Sequence, residues 1–270
     1  MSPETDRPNG RGAPLWRKWL QSAPVAAFFL LTFVFSWGIW GLAPVLLPGA
    51  GRGLRIAVHT VGLCGPTVAA LVMSALLCGR QEAWGLLKQI TRWRAGVGWY
   101  LFALFSTLAI GLAAIGVYSL LGGAAPSLNL YIVPALVPLP SGLPEEYGWR
   151  GFALPRLLKR RGALVASLII ALFWTLWHIP ISPMLKNPSF LALFLLEVIP
   201  VTFFFSWLYI NSRGSIFLVV LYHLVYNTVV SVLNIPASTS LWAVYVGMNW
   251  LLAAFIVIRY GASRLKLAKS

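Results

Sequence analysis

Acidic residues are nearly missing from this chain: six Asp and Glu stand against 21 Lys and Arg in 270 residues. Charged residues of both signs make up 10% of the sequence, whereas a soluble globular chain carries about 25%. With 59% hydrophobic residues and a mean hydropathy of +0.80, the chain cannot furnish an aqueous surface, so the bilayer is its expected solvent. Cysteine is scarce too. Cys64 and Cys78 lie in one apolar stretch without CxxC spacing or a nearby His, so they carry no firm redox or metal signal and packing is their expected role. The net charge of +15 would suggest nucleic acid on a soluble domain. Here the basic residues sit at the ends of apolar runs rather than on a soluble domain with aromatic interleaving, so no nucleic-acid partner is expected and membrane topology explains them.

Seven apolar runs, at about 25–47, 54–77, 98–121, 163–181, 190–210, 216–233 and 241–259, are candidates for spanning helices, several of them reaching the ~20 residues a crossing needs. The stretch 128–154 is apolar but broken by Pro134, Pro138, Pro140 and Pro144, and it holds Glu145, Glu146 and Arg150. Counting it gives eight crossings. Lys and Arg of short loops collect on the cytoplasmic side, and eight crossings place Arg80–Arg94, Arg156–Arg161, Arg213 and Arg259–Lys269 together there, leaving Arg52, Arg55 and Lys186 outside. The expected fold is therefore all-α: a polytopic membrane protein of about eight transmembrane helices around an intramembrane polar cavity, with both termini cytoplasmic. Residues 1–18 are expected as a cytoplasmic tail rather than a cleavable signal, 19–262 as the transmembrane domain with its core at about 128–235, and 263–270 as a second tail. Between Arg80 and Arg94, Trp84, Leu86, Leu87 and Trp93 alternate with basic residues as in an interfacial helix. No internal repeat of the transporter kind is visible.

Apart from Glu4, Asp6 and Glu82, every acid falls inside an apolar segment: Glu145, Glu146 and Glu197. A carboxylate at the bilayer centre costs roughly 3 kcal/mol even on a lenient scale, so it faces the bundle interior and has a task. Pro144 favours a first helical turn and puts both glutamates at the N-terminus of a helix begun inside the membrane. Arg150 stands four residues after Glu146, on the same face, and can hold it ionised. That assigns Glu146 to a supporting pair and Glu145 to the chemistry; a pair that merely neutralises itself is the plainer alternative. His178 closes the run IIALFWTLWHIP, and His223 and Asn227 share one face of a helix. Counting from the nearest basic boundary at 1.5 Å per residue puts Glu145, His178 and His223 about 16, 25 and 15 Å deep, inside a core of about 30 Å. His59 reads as a packing residue. Glu197, on a helix without a motif, either pairs with an Arg or lines the cavity.

These three elements, in order, resemble the CPBP family of intramembrane proteases, which unites type 2 CAAX prenyl endopeptidases with bacterial bacteriocin-processing, lysostaphin-resistance-like and immunity proteins. The Glu-Glu-x-x-x-Arg pattern is matched by Glu145, Glu146 and Arg150 within EEYGWRGFALPRL. The second motif, usually Phe-x-x-x-His, is matched by Trp174 and His178, with Trp in place of Phe. His-x-x-x-Asn is matched by His223 and Asn227, and Gly65-Pro66 resembles a weaker family feature.

The resemblance implies an intramembrane endopeptidase that hydrolyses peptide bonds of membrane-associated or prenylated CAAX-type substrates. Its partners would be a peptide or membrane-protein substrate and the lipid bilayer, and its place the cell membrane of a bacterium. Glu145 would activate water with help from His178, while His223 and Asn227 would hold the developing oxyanion. No cofactor is expected on this reading. The alternative is a divalent metal such as zinc on Glu145, His178 and His223, a His₂-carboxylate set, but no His-Glu-x-x-His helix is present and Asn227 suits a hydrogen-bond donor better than a zinc ligand. A non-enzymatic immunity or regulatory membrane protein of the same family is the competing function.

Overall fold

The computed structural model describes residues 14–130, 142–182 and 187–266. Among these every regular element is helical. A short amphipathic helix, α1 (Leu15–Ser22), buries none of its residues and precedes α2 (Pro24–Leu46), whose Pro24 opens a new helix where α1 ends. The run 54–77 splits into α3 (Arg52–Leu63) and α4 (Gly65–Cys78), because Pro66 has no N–H to continue the ladder. Then follow α5 (Arg80–Leu87), a 3₁₀ turn at Lys88–Thr91 and α6 (Val97–Leu120). In α5 the side chain of Leu86 turns inward while Trp84 stays exposed, the mixed surface expected of an interfacial element.

The Glu-bearing segment is one helical stretch in three parts: α7 (Leu143–Glu146), a π-helical turn at Tyr147–Ala153 and α8 (Leu154–Leu158). Pro134, Pro138 and Pro140, within the expected crossing 128–154, lie outside the described residues, as does Lys186. After it come α9 (Ala163–His178), α10 (Pro188–Asn211), α11 (Ile216–Val232) and α12 (Thr239–Tyr260). Among the described residues five helices are long and apolar enough to cross a membrane: α2, α3 with α4, α6, α10 and α12; α9 and α11 are apolar but shorter. The protein is thus an all-helical, polytopic membrane protein.

Helix α10 is the central post, with 61% of its most apolar window buried against 22% for α6. It packs on α9, α11 and α12, while α6 packs on α11 and α12, and α2 on α4. The outward faces carry Leu120, Leu251 and Ile258, 72% exposed or more, which suits contact with hydrocarbon. One end of the bundle gathers the basic loops. Arg156 lies 3.9 Å from Glu82, Arg92 reaches the carbonyl of Arg213, Ala163 and Leu164 take backbone bonds to Ser263 and Ala262, and Asn211 bonds the carbonyl of Leu265.

Two close approaches seat the Glu-bearing helix. A Cβ on Gly148 would stand 2.6 Å from the carbonyl oxygen of Pro66, so only glycine lets the π turn touch α4 there. Beside it the Thr67 hydroxyl donates to the carbonyl of Pro144 at 2.5 Å. Gly65-Pro66 therefore acts as the bed on which the glutamates rest, and Gly65 itself has room for no side chain because the Ser36 hydroxyl occupies the space.

Candidate active site

Pro144 occupies the first turn of α7, and Glu145 and Glu146 follow it in that turn, as its φ preference and missing N–H dictate. Both are enclosed, Glu145 2% and Glu146 0% exposed, yet their surroundings differ. Glu146 takes charge-bearing partners. Arg150 Nη1 donates to its Oε1 at 2.9 Å and its Oε2 at 3.0 Å, and His223 Nδ1 lies 2.8 Å from Oε1. Arg150 is wholly buried, with its guanidinium 4.1 Å from the centre of the Phe205 ring and 5.1 Å from that of Trp174. Two aromatic faces thereby replace the water it has lost. The π turn carries Arg150, and π turns widen a helix at functional positions.

Glu145 has a neutral partner instead. The indole N–H of Trp174 donates to its Oε2 at 2.7 Å, and Oε1 takes no hydrogen bond from the described residues. Trp174 also serves His178: its carbonyl accepts from His178 Nδ1 at 2.7 Å, the i→i+4 relation within α9. With a carbonyl as partner that nitrogen must carry the proton, so in the neutral ring Nε2 keeps its lone pair. The imidazoles of His178 and His223 both pack edge-on to the Trp174 ring, at 5.2 and 5.7 Å between centroids.

The structure thus brings Glu145, Glu146, Arg150, His178 and His223 into one neighbourhood built from α7, the π turn that follows it, α9 and α11. Asn227 stands one turn beyond His223 on α11, half-buried. Glu145 and His178 do not bond each other; Trp174 links them. That linking role is the feature sequence reasoning missed, since Trp174 was read only as an aromatic standing where Phe is usual. The signal was available: a buried Trp N–H seeks an acceptor, and Trp174 shares a helical face with His178. Phe205, the lid over Arg150, carried no sequence signal.

Glu197 is elsewhere. Among the described residues it pairs with no Arg; its carboxylate accepts from the Tyr226 hydroxyl and, at 2.5 Å, from the Trp242 indole N–H, joining α10 to α11 and α12. His59 is exposed and stacks on Trp40. Among the described residues no three of His, Cys, Asp and Glu are grouped so as to hold a metal ion. Glu145, His178 and His223, the alternative zinc set, are not grouped in that way among the described residues.

Fold and site together define a polytopic helical membrane protein with a buried carboxylate–histidine centre. Residues 126–229 match the family model of type II CAAX prenyl endopeptidases, Rce1-like, and the chain is 25% identical over 252 residues to CAAX prenyl protease 2 of Methanococcus maripaludis. That match covers 86% of this chain and 92% of the relative. Both comparisons bear out the resemblance carried by the three motifs, and the matched segment contains every residue of the centre.

Proposed function

We propose that this protein is an intramembrane endopeptidase of the CAAX prenyl protease type, acting on membrane-associated or prenylated substrates through water activated by Glu145. The observation that carries the reading is the unequal treatment of two adjacent carboxylates. Glu146 is committed to Arg150 and His223, whereas Glu145 is tethered through one oxygen by a neutral donor and keeps the other for a water.

Peptide hydrolysis needs a base for the water and donors for the oxygen that becomes negative. Glu145 Oε1 takes the water proton as the oxygen attacks the scissile carbonyl. His178 Nε2, with its lone pair, helps hold that water and relays the proton toward the departing amine. His223 gives Nε2–H to the oxyanion when its ring is doubly protonated, and the Glu146 carboxylate is the counter-charge that form requires. Asn227 adds a second donor. This chemistry is metal-free, in keeping with the donor set.

The test is cleavage of a farnesylated peptide ending in a CAAX sequence by the purified full-length protein in lipid nanodiscs. Glu145→Gln keeps the acceptor for Trp174 and removes the base, so turnover should fall at least 100-fold with the unfolding temperature unchanged. Cleavage by Glu145→Gln at the wild-type rate would sink the reading. So would activity that depends on stoichiometric zinc, against the metal-free step.

A further inference from the structure

We propose that a notch at the basic end of the bundle, between Thr91–Gly96 and Asn211–Arg213, binds the phosphate of an anionic phospholipid headgroup. Two adjoining depressions of about 420 and 480 Å³ share Trp93, Arg94, Ser212 and Arg213 as walls; Arg92 and Trp99 complete them. Arg92, Arg94 and Arg213 thus all line the second depression. Among the described residues none of the three has a carboxylate partner, since the ion pairs there use Arg150, Arg156 and His223.

The cations are held in place from behind. Arg213 and Gly214 are both left-handed, with φ of 60° and 73°, a conformation uncommon for a residue with a side chain. This turn aims the Arg213 carbonyl at Arg92, whose Nη1 reaches it at 3.5 Å and lies 3.0 Å from where a Gly214 Cβ would stand. Arg94 sits 5.4 Å over the Trp93 ring, and the Tyr100 hydroxyl secures the Trp93 carbonyl. Trp99 is braced edge-on by Trp207 at 4.8 Å.

Position selects the ligand. The notch lies where α6 begins and α10 ends, at the level of the other basic loops, and Trp93 is 56% exposed beside it. Tryptophans at this level mark the headgroup region, and a basic pocket between helix ends recognises a phosphodiester whose acyl chains lie along the outer helices. A lipid supplies both charge and anchorage; a free phosphate supplies charge alone. Arginine forks suit phosphate oxygens, and cations at this level are drawn to an anionic surface.

The experiment compares the full-length wild type, the notch variant Arg92→Gln/Arg94→Gln/Arg213→Gln, and a control variant Arg160→Gln/Arg161→Gln/Arg264→Gln of equal charge loss. Lipid retention is read by native mass spectrometry from detergent containing equal phosphatidylglycerol and phosphatidylcholine. Wild type and control should keep phosphatidylglycerol, and the notch variant should retain it at least fivefold less. Equal loss in both variants would overturn the proposal in favour of unlocalised charge. Inorganic phosphate that raises the unfolding temperature as much as phosphatidylglycerol would overturn the lipid assignment. If the triple variant does not fold, Arg94→Gln alone leaves the Arg92–Arg213 turn intact and must still lower retention at least twofold.

Discussion

Trp174 is the residue on which the proposed chemistry turns. Its N–H holds the base and its carbonyl holds His178, so one side chain and its own backbone set the distance between two reacting groups. Trp174→Phe restores the aromatic usual in the resembling family, keeps the backbone bond to His178 and deletes the donor to Glu145. A hydrogen bond to a charged group contributes about 1.5–3 kcal/mol, and each 1.4 kcal/mol off the barrier is about tenfold in rate. The expected result is a kcat lower by about 10- to 100-fold with KM little changed, measured on the farnesylated peptide. A change confined to KM would mean that Trp174 serves substrate binding instead. At this scale the candidate site was largely legible. A carboxylate pair behind Pro144, and His-x-x-x-Asn on one face, are patterns that local helix geometry preserves. Arg150 was assigned to Glu146 from spacing alone, and that pairing stands. The second partner of Glu146, His223, lies 77 positions away and no local period reaches it.

At the scale of elements, the π turn Tyr147–Ala153 and the α3–α4 break act together. The first presents a wholly buried Arg150 under Phe205; the second gives α4 a proline that enters the space beside Gly148. Gly148→Ala forces a methyl against the Pro66 backbone, which cannot swing aside like a flexible side chain. Overpacking of this kind typically costs 1–3 kcal/mol. The unfolding temperature in detergent should drop, and cleavage should fall with it as the glutamates shift; a fully stable Gly148→Ala protein would show that α4 can retreat. The cysteines need no further role: Cys64 bonds the carbonyl of Thr60 at the helix break, and both thiols are free. The π turn was not legible. Helical periodicity at 3.6 residues is too coarse to reveal one extra residue in a turn.

For the whole molecule, Glu197 is a tie between helices. Buried on the central helix, it accepts one hydrogen bond from α11 and one from α12, fastening the helix that carries His223 and Asn227 to the post of the bundle. Glu197→Ala strands a buried hydroxyl and a buried indole N–H, each costing about 1–3 kcal/mol. Glu197→Gln can still accept from Trp242 and donate its amide N–H to the Tyr226 oxygen. Thermal unfolding should therefore rank wild type, then Gln, then Ala; Gln and Ala equally destabilised would show that the negative charge, not the pairing, matters.

What the sequence by itself determined is the solvent, the helical class and the identity of the costly polar groups. All follow from composition and from the energy of placing charge in hydrocarbon, and both act residue by residue. The positions of α6, α10 and α12 were readable for the same reason, because an apolar run as long as the bilayer is thick permits little else. Apart from the Arg150–Glu146 pair, which i,i+4 spacing assigned, only the tertiary structure decided which partner each polar group took. Glu197 was given an Arg or a cavity by rule, and the fold gave it Tyr226 and Trp242. Adjacent Glu145 and Glu146 are alike as letters; the packing of α9 and α11 put a neutral indole against one and two cation-forming groups against the other. Hydrogen bonding among buried polar groups depends on which helices meet and at what rotation, and that is a property of the bundle rather than of any segment in it.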